Sequence, residues 1–135
     1  MKEQYMQLTI ELAKKNIKAD QGGPFGAMVV NEDTIISKAT NLVTSTNDPT
    51  AHAEIMAIRK AGNQLEHFDL SGYTLFASCE PCPMCLGAIY WARISKVYFA
   101  ATKGDAAAIH FDDHNIYQAI EVFKEWDNKE DKTLY

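Results

Sequence analysis

No apolar run in these 135 residues is long enough to span a bilayer, which excludes an integral helical membrane protein. The opening Met1-Lys2-Glu3-Gln4 lacks the charged-then-apolar pattern of a secretory signal, so a cytoplasmic location is expected. Basic residues are in short supply: 13 Lys and Arg against 18 Asp and Glu leave a net charge of -5. A protein that grips a phosphate backbone is built on clustered cations, so nucleic acid is a poor partner and a small, weakly charged substrate is favoured. Cysteine is confined to Cys79, Cys82 and Cys85, an odd number set too close for a disulfide framework and typical of metal or redox chemistry in a reducing compartment. Repeats, low-complexity tracts and linkers are absent too, and a hydrophobic content of 47% suits one compact domain over residues 1–135.

What is present reads as alternating helices and strands. Leu8, Leu12 and Ala13 at helical spacing, with Lys14, Lys15 and Lys18 in the last turns, predict an amphipathic helix over residues 2–19. Gly22-Gly23-Pro24 ends it and introduces a strand from Phe25 to Asn31, which turns at Glu32-Asp33 into a second strand, Thr34 to Ala39. Residues 41–47 read as a polar loop. Asp48-Pro49-Thr50 predicts a helix start and Gly62 its stop. A buried strand from Tyr73 to Ser78 leads through Glu80-Pro81 into a helix ending near Arg93, and Ile94 to Ala100 reads as another buried strand. Beyond Thr102 the pattern dissolves, until Ile116, Ile120 and Phe123 suggest a last helix. An initial hairpin followed by strand, helix and strand predicts an α/β fold with a mixed sheet between helices.

Two short clusters carry the chemistry: Thr50-Ala51-His52-Ala53-Glu54 and Glu80-Pro81-Cys82-Pro83-Met84-Cys85. One imidazole and two thiolates fill three of the four tetrahedral positions zinc prefers and leave the fourth for water, while Glu54 stands two residues from His52 to move protons. Residues two apart do not share a helix face, so His52 and Glu54 meet at one site only near a helix mouth. Alone, C-x-x-C could be a redox pair and H-x-E could be a solvated first turn. Cys79 extends the run to C-x-x-C-x-x-C, which could seed an iron-sulfur cluster but lacks a fourth cysteine and leaves His52 and Glu54 unused. Cys79 is therefore expected to be a buried, unligated thiol. H-x-E followed by P-C-x-x-C is the signature of zinc nucleobase deaminases, with His52, Cys82 and Cys85 as ligands of one Zn2+ per chain and Glu54 as the catalytic acid and base.

These motifs, with Asn41, Asp48-Pro49 and Ala57-Ile58-Arg59, resemble the cytidine and deoxycytidylate deaminase superfamily over roughly residues 2–115. Within it, Gly22-Gly23-Pro24-Phe25-Gly26, Ile89-Tyr90-Trp91-Ala92-Arg93 and Phe111-Asp112-Asp113 are similar to the bacterial guanine deaminases. The resemblance implies a three-layer α/β/α sandwich, a homodimer and hydrolysis of guanine to xanthine and ammonia. It also implies that Phe25 and Trp91 wall the base, that Asn41 bonds its polar edge and that Ala53 belongs to the substrate contacts. Asp113 would accept from the N–H donors of guanine, which neutral adenine and cytosine lack at the matching ring position, although Asp112 and Asp113 could instead solvate a loop. Chains of this kind usually continue further, so residues 116–135 are expected to form a shorter lid or a segment exchanged between subunits. Another base, a nucleoside or tRNA adenosine remains the alternative substrate, and a zinc-stabilised binding module the alternative outside enzymes.

Overall fold

The computed structural model describes residues 2–107. Helix α1 (Lys2–Ala19) precedes a hairpin of β1 (Gly26–Asn31) and β2 (Thr34–Thr40); then come α2 (Val43–Thr46), α3 (Ala53–Leu65), β3 (Thr74–Cys79), α4 (Pro83–Ala92), β4 (Lys96–Ala101) and α5 (Lys103–Ala107). The four strands form one mixed sheet in the order β2-β1-β3-β4, antiparallel at β1/β2 and β1/β3 and parallel at β3/β4. Asp112, Asp113, the helix expected near Ile116 and the expected lid over 116–135 lie outside the described residues.

The central strand explains the layering. On β1, Ala27 and Val29 point into a core shared with Ala53, Ala57 and Ala61 of α3 and Ile89 and Ala92 of α4. Met28 and Val30 alternate to the opposite face, where Phe76 joins them under Tyr5, Met6 and Leu12 of α1. A strand covered on both faces has no polar side, which is why β1 reads as a nearly continuous apolar run. The outcome is the three-layer α/β/α arrangement, with α1 on one face and α3 and α4 on the other. On α1 the buried residues Thr9, Ala13 and Asn16 form a single stripe at helical spacing.

The structure differs from the sequence reading in several places. Helix α3 begins at Ala53 rather than at Asp48, because Asp48 spends its carboxylate on a separate turn, accepting from Thr50 N at 2.9 Å and Thr50 Oγ1 at 2.6 Å. The helix also runs through Gly62 to Leu65 and closes on Glu66, left-handed at φ 54°, whose N–H reaches the carbonyls of Asn63 and Gly62. The expected loop at 41–47 contains α2, and α5 forms where no pattern was visible. Strand β4 is not buried: among the described residues it pairs with β3 alone, and Phe99 is 45% exposed. An edge strand and a core strand can carry the same apolar run, so sequence did not separate them.

Gly26 is where the α1 layer meets the sheet most closely. A Cβ there would lie 2.7 Å from the Thr9 carbonyl oxygen and 2.9 Å from Leu12 Cβ, and backbone cannot yield as a side chain can. Gly26→Ala is therefore expected to lower stability by about 1–3 kcal/mol. Urea unfolding would show this as a lower midpoint with unchanged slope.

Candidate metal centre and cavity

Both clusters sit at helix mouths. His52 is the N-cap of α3 (φ -66°, ψ 155°) and Cys82 the N-cap of α4 (φ -71°, ψ 167°), with Pro83 suited to the first helical position by its fixed φ. Neither side chain caps its own helix, so each is free to turn outward. Cys85, one turn into α4, lies on the same side and is fully buried.

The three side chains converge. His52 Nδ1 lies 3.5 Å from Cys82 Sγ and 3.5 Å from Cys85 Sγ, and the three potential ligand atoms all fall within 4.8 Å of one another. Nitrogen and sulfur bound to one zinc at ordinary bond lengths and tetrahedral angles stand roughly 3.6 Å apart. The donor set and its spacing therefore fit one zinc ion, with Nδ1 as the ring nitrogen used. Cys79 is not part of this group; it is half-buried rather than buried, and its thiol points to the Thr102 carbonyl at 3.5 Å.

The electrostatics follow from this crowding. A hydrogen bond from Cys85 holds the Cys82 thiol down to about 4, with His52 contributing in the same direction. Cys85 is driven upward, first by Cys82 and then by burial. The opposite displacements belong to the pair: once one sulfur is ionised, burial and the neighbouring negative charge oppose ionisation of the other, and a bound cation would compensate that charge. His52 is raised, chiefly by its hydrogen bond to Cys82. Glu54 is 7% exposed, and burial raises its carboxyl above the usual carboxylate range.

A cavity of about 630 Å³ opens over this centre, within the range of small-molecule sites. His52, Glu54 and Cys82 line its floor, with Phe25, Asn41 and the Gly22-Gly23 backbone among the other lining residues. Asn41 Oδ1 accepts from Gly23 N at 3.3 Å and Val43 N at 3.0 Å, which fixes the amide orientation and leaves Nδ2 as the donor not engaged by the described residues. Ala53 is fully buried and packs into the core, and it does not line the cavity. Trp91 is 51% exposed, packs edge-on to Tyr90 and likewise does not line it. Asp113 lies outside the described residues. Cys79, Glu80, Thr44 and Lys103 line the cavity without having been singled out as substrate contacts. Of these, Cys79 and Glu80 had a local signal, since they adjoin the cysteine motif; in the structure Glu80 Oε1 accepts from Lys103 N at 3.1 Å.

A family model described as the cytidine and deoxycytidylate deaminase zinc-binding region matches residues 1–101. The guanine deaminase of Bacillus subtilis is 50% identical over 119 residues, covering 88% of this chain and 76% of that protein. The crystal structure of guanine deaminase from the same species superposes with a TM-score of 0.84 at 42% identity, covering 98% of both chains. The tRNA-specific adenosine deaminase of Haemophilus influenzae is 38% identical over 128 residues, covering 89% of this chain and 72% of that protein.

Zinc affinity is expected to fall with pH. His52 and both thiols must release their protons to serve as ligands, and His52 starts above its ordinary value, so acid favours the protonated, metal-free centre. Chelator competition should show weaker binding on the acid side of neutrality, with protons taken up as metal leaves. Removing the metal at neutral pH should also lower the melting temperature.

Proposed function

We propose, from the premise that this chain belongs to the cytidine and deoxycytidylate deaminase family, that it hydrolyses guanine to xanthine and ammonia. The observation that carries this is the placement of Glu54: a buried carboxyl of raised pKa, lining one cavity with His52 and Cys82 of the three-residue cluster whose third member, Cys85, is buried behind them. When bound there, zinc supplies Lewis-acid activation of water near neutral pH. A structural metal site has no need of a proton carrier, so Glu54 favours an enzyme over a binding module.

The reaction adds water to the carbon bearing the exocyclic amine and breaks its C–N bond. Glu54 takes the proton that the attacking water gives up. It delivers protons to the ring nitrogen and to the departing ammonia, a duty suited to a carboxyl that burial raises above the usual carboxylate range. Phe25 presents an aromatic face to the base, and Asn41 Nδ2 is the donor for a purine ring acceptor or carbonyl. The likeness to guanine deaminase at 50% identity supports guanine, and the net charge of -5 weighs against tRNA. In this reading Asp113 accepts from the N–H groups of guanine.

The chain acts as a homodimer in this proposal. Leu86, Tyr90 and Trp91 leave an exposed apolar strip on α4, which pairing would cover. No helix among the described residues is long and apolar enough to cross a membrane, and three free cysteines suit a reducing cytoplasm.

The test is ammonia release from a panel of guanine, adenine, cytosine, adenosine, cytidine and tRNA. Guanine alone should be turned over, and activity confined to tRNA would replace this reading with its alternative. Glu54→Gln should keep its zinc and fold while losing roughly 10²–10⁴ in kcat. An undiminished rate in that variant would remove Glu54 from the mechanism.

A further inference from the structure

We infer that Asn16, on the helix across the sheet from the metal centre, is a positioning residue for the substrate-facing wall of the cavity and acts through Asn41; the inference rests on the deaminase reading of that cavity. Asn16 is 2% exposed. Its Nδ2 donates to the Gly23 carbonyl at 2.8 Å and the Asn41 carbonyl at 2.9 Å, so both amide hydrogens are committed to residues that line the cavity. A buried amide in the last turns of a helix gains nothing from helix propensity, and Leu or Ala would serve the turn better.

Asn16 also holds the helix end that launches this loop. Its carbonyl accepts from Asp20 N at 3.1 Å, where Asp20 turns left-handed at φ 55° and the chain leaves α1 toward Gly22. One residue thus ties the end of α1, the Gly22-Gly23 crossing and the start of the segment after β2.

The consequence falls on Asn41. Its N–H donates to Phe25 O at 3.2 Å, its carbonyl accepts from Asn16, and its Oδ1 accepts from Gly23 N and Val43 N. With these atoms bound to the frame, the side-chain amide can aim its remaining Nδ2 in one direction only. Gly22 passes so near that a Cβ would lie 2.1 Å from the Asn41 carbonyl oxygen, which shows how little slack the junction has. None of these bonds touches His52, Cys82 or Cys85. The lock therefore governs how a base is held and leaves the metal centre alone.

The test is a double-mutant cycle in the zinc-loaded enzyme, run with whichever member of the substrate panel the unmodified protein deaminates fastest. Asn16→Ala should raise KM about tenfold with a smaller change in kcat and with zinc content unchanged. Asn41→Ala should cost at least as much. The Asn16→Ala/Asn41→Ala protein should lose no more than Asn41→Ala alone, because both changes remove one function. Losses that multiply, or zinc lost with Asn16, would overturn the inference. Should Asn16→Ala fold too poorly to assay, Asn16→Ser keeps one donor and is expected to lose an intermediate amount.

Hydrogen exchange gives a readout independent of turnover. In Asn16→Ala, or in Asn16→Ser where that is the folded variant, the Gly23 and Val43 amide protons should exchange faster while those within α3 and α4 do not. Unchanged exchange at Gly23 and Val43 overturns the inference whatever the substrate. An unmodified protein inactive on guanine but active on another base overturns only the guanine assignment.

Discussion

One imidazole and two thiols held within 4.8 Å of one another are a poor arrangement for a protein without a cation. Cys82 and Cys85 cannot both ionise cheaply while Cys85 is fully buried and Glu54 is buried beside them. What makes the cluster tolerable is where it stands. His52 and Cys82 are the N-caps of α3 and α4, so the positive ends of both helices lie at the charge, and the Cys85 backbone N–H helps to hold the Cys82 sulfur ionised.

Bringing two helix mouths together is work done by the sheet. Parallel pairing of β3 with β4 requires a crossover, and α4 is that crossover, so its N-terminus follows directly from the end of β3. Helix α3 packs on the same face over β1 and β2. Ala53, Ala57 and Ala61 let it lie close to Ala27 and Val29, which sets His52 opposite Cys82. Ala53 thus serves the site by packing in the core, where its small side chain keeps the start of α3 close to the sheet.

The grouping of His52, Cys82 and Cys85 beside Glu54 was legible because its chemistry is local: residue type and short spacing restrict what these side chains can do together. The helix boundary beside them was not, because Asp48-Pro49-Thr50 has the composition of a helix start and also of a turn closed by the Asp48 side chain. Only the competition between those two uses decides, and it depends on Leu42 pairing with Ala51 through a 2.9 Å hydrogen bond. Trp91 illustrates another limit. Its helical spacing allows it to face inward or outward, and the inward side of α4 is already taken by Ile89 and Ala92.

Asn16 marks the deepest limit of sequence reading. It lies in a lysine-rich stretch that signals only an exposed helix end, and its partners Gly23 and Asn41 are 7 and 25 residues away. The cavity that results is built from both layers: its floor hangs from α3 and α4, while the wall carrying Asn41 is tied to α1 around the edge of the same sheet. These halves answer to different forces. Charge and metal-ligand geometry hold the floor, whereas ordinary buried hydrogen bonds and the close passage at Gly22 hold the wall. The wall can therefore be altered without disturbing the residues that would hold the metal.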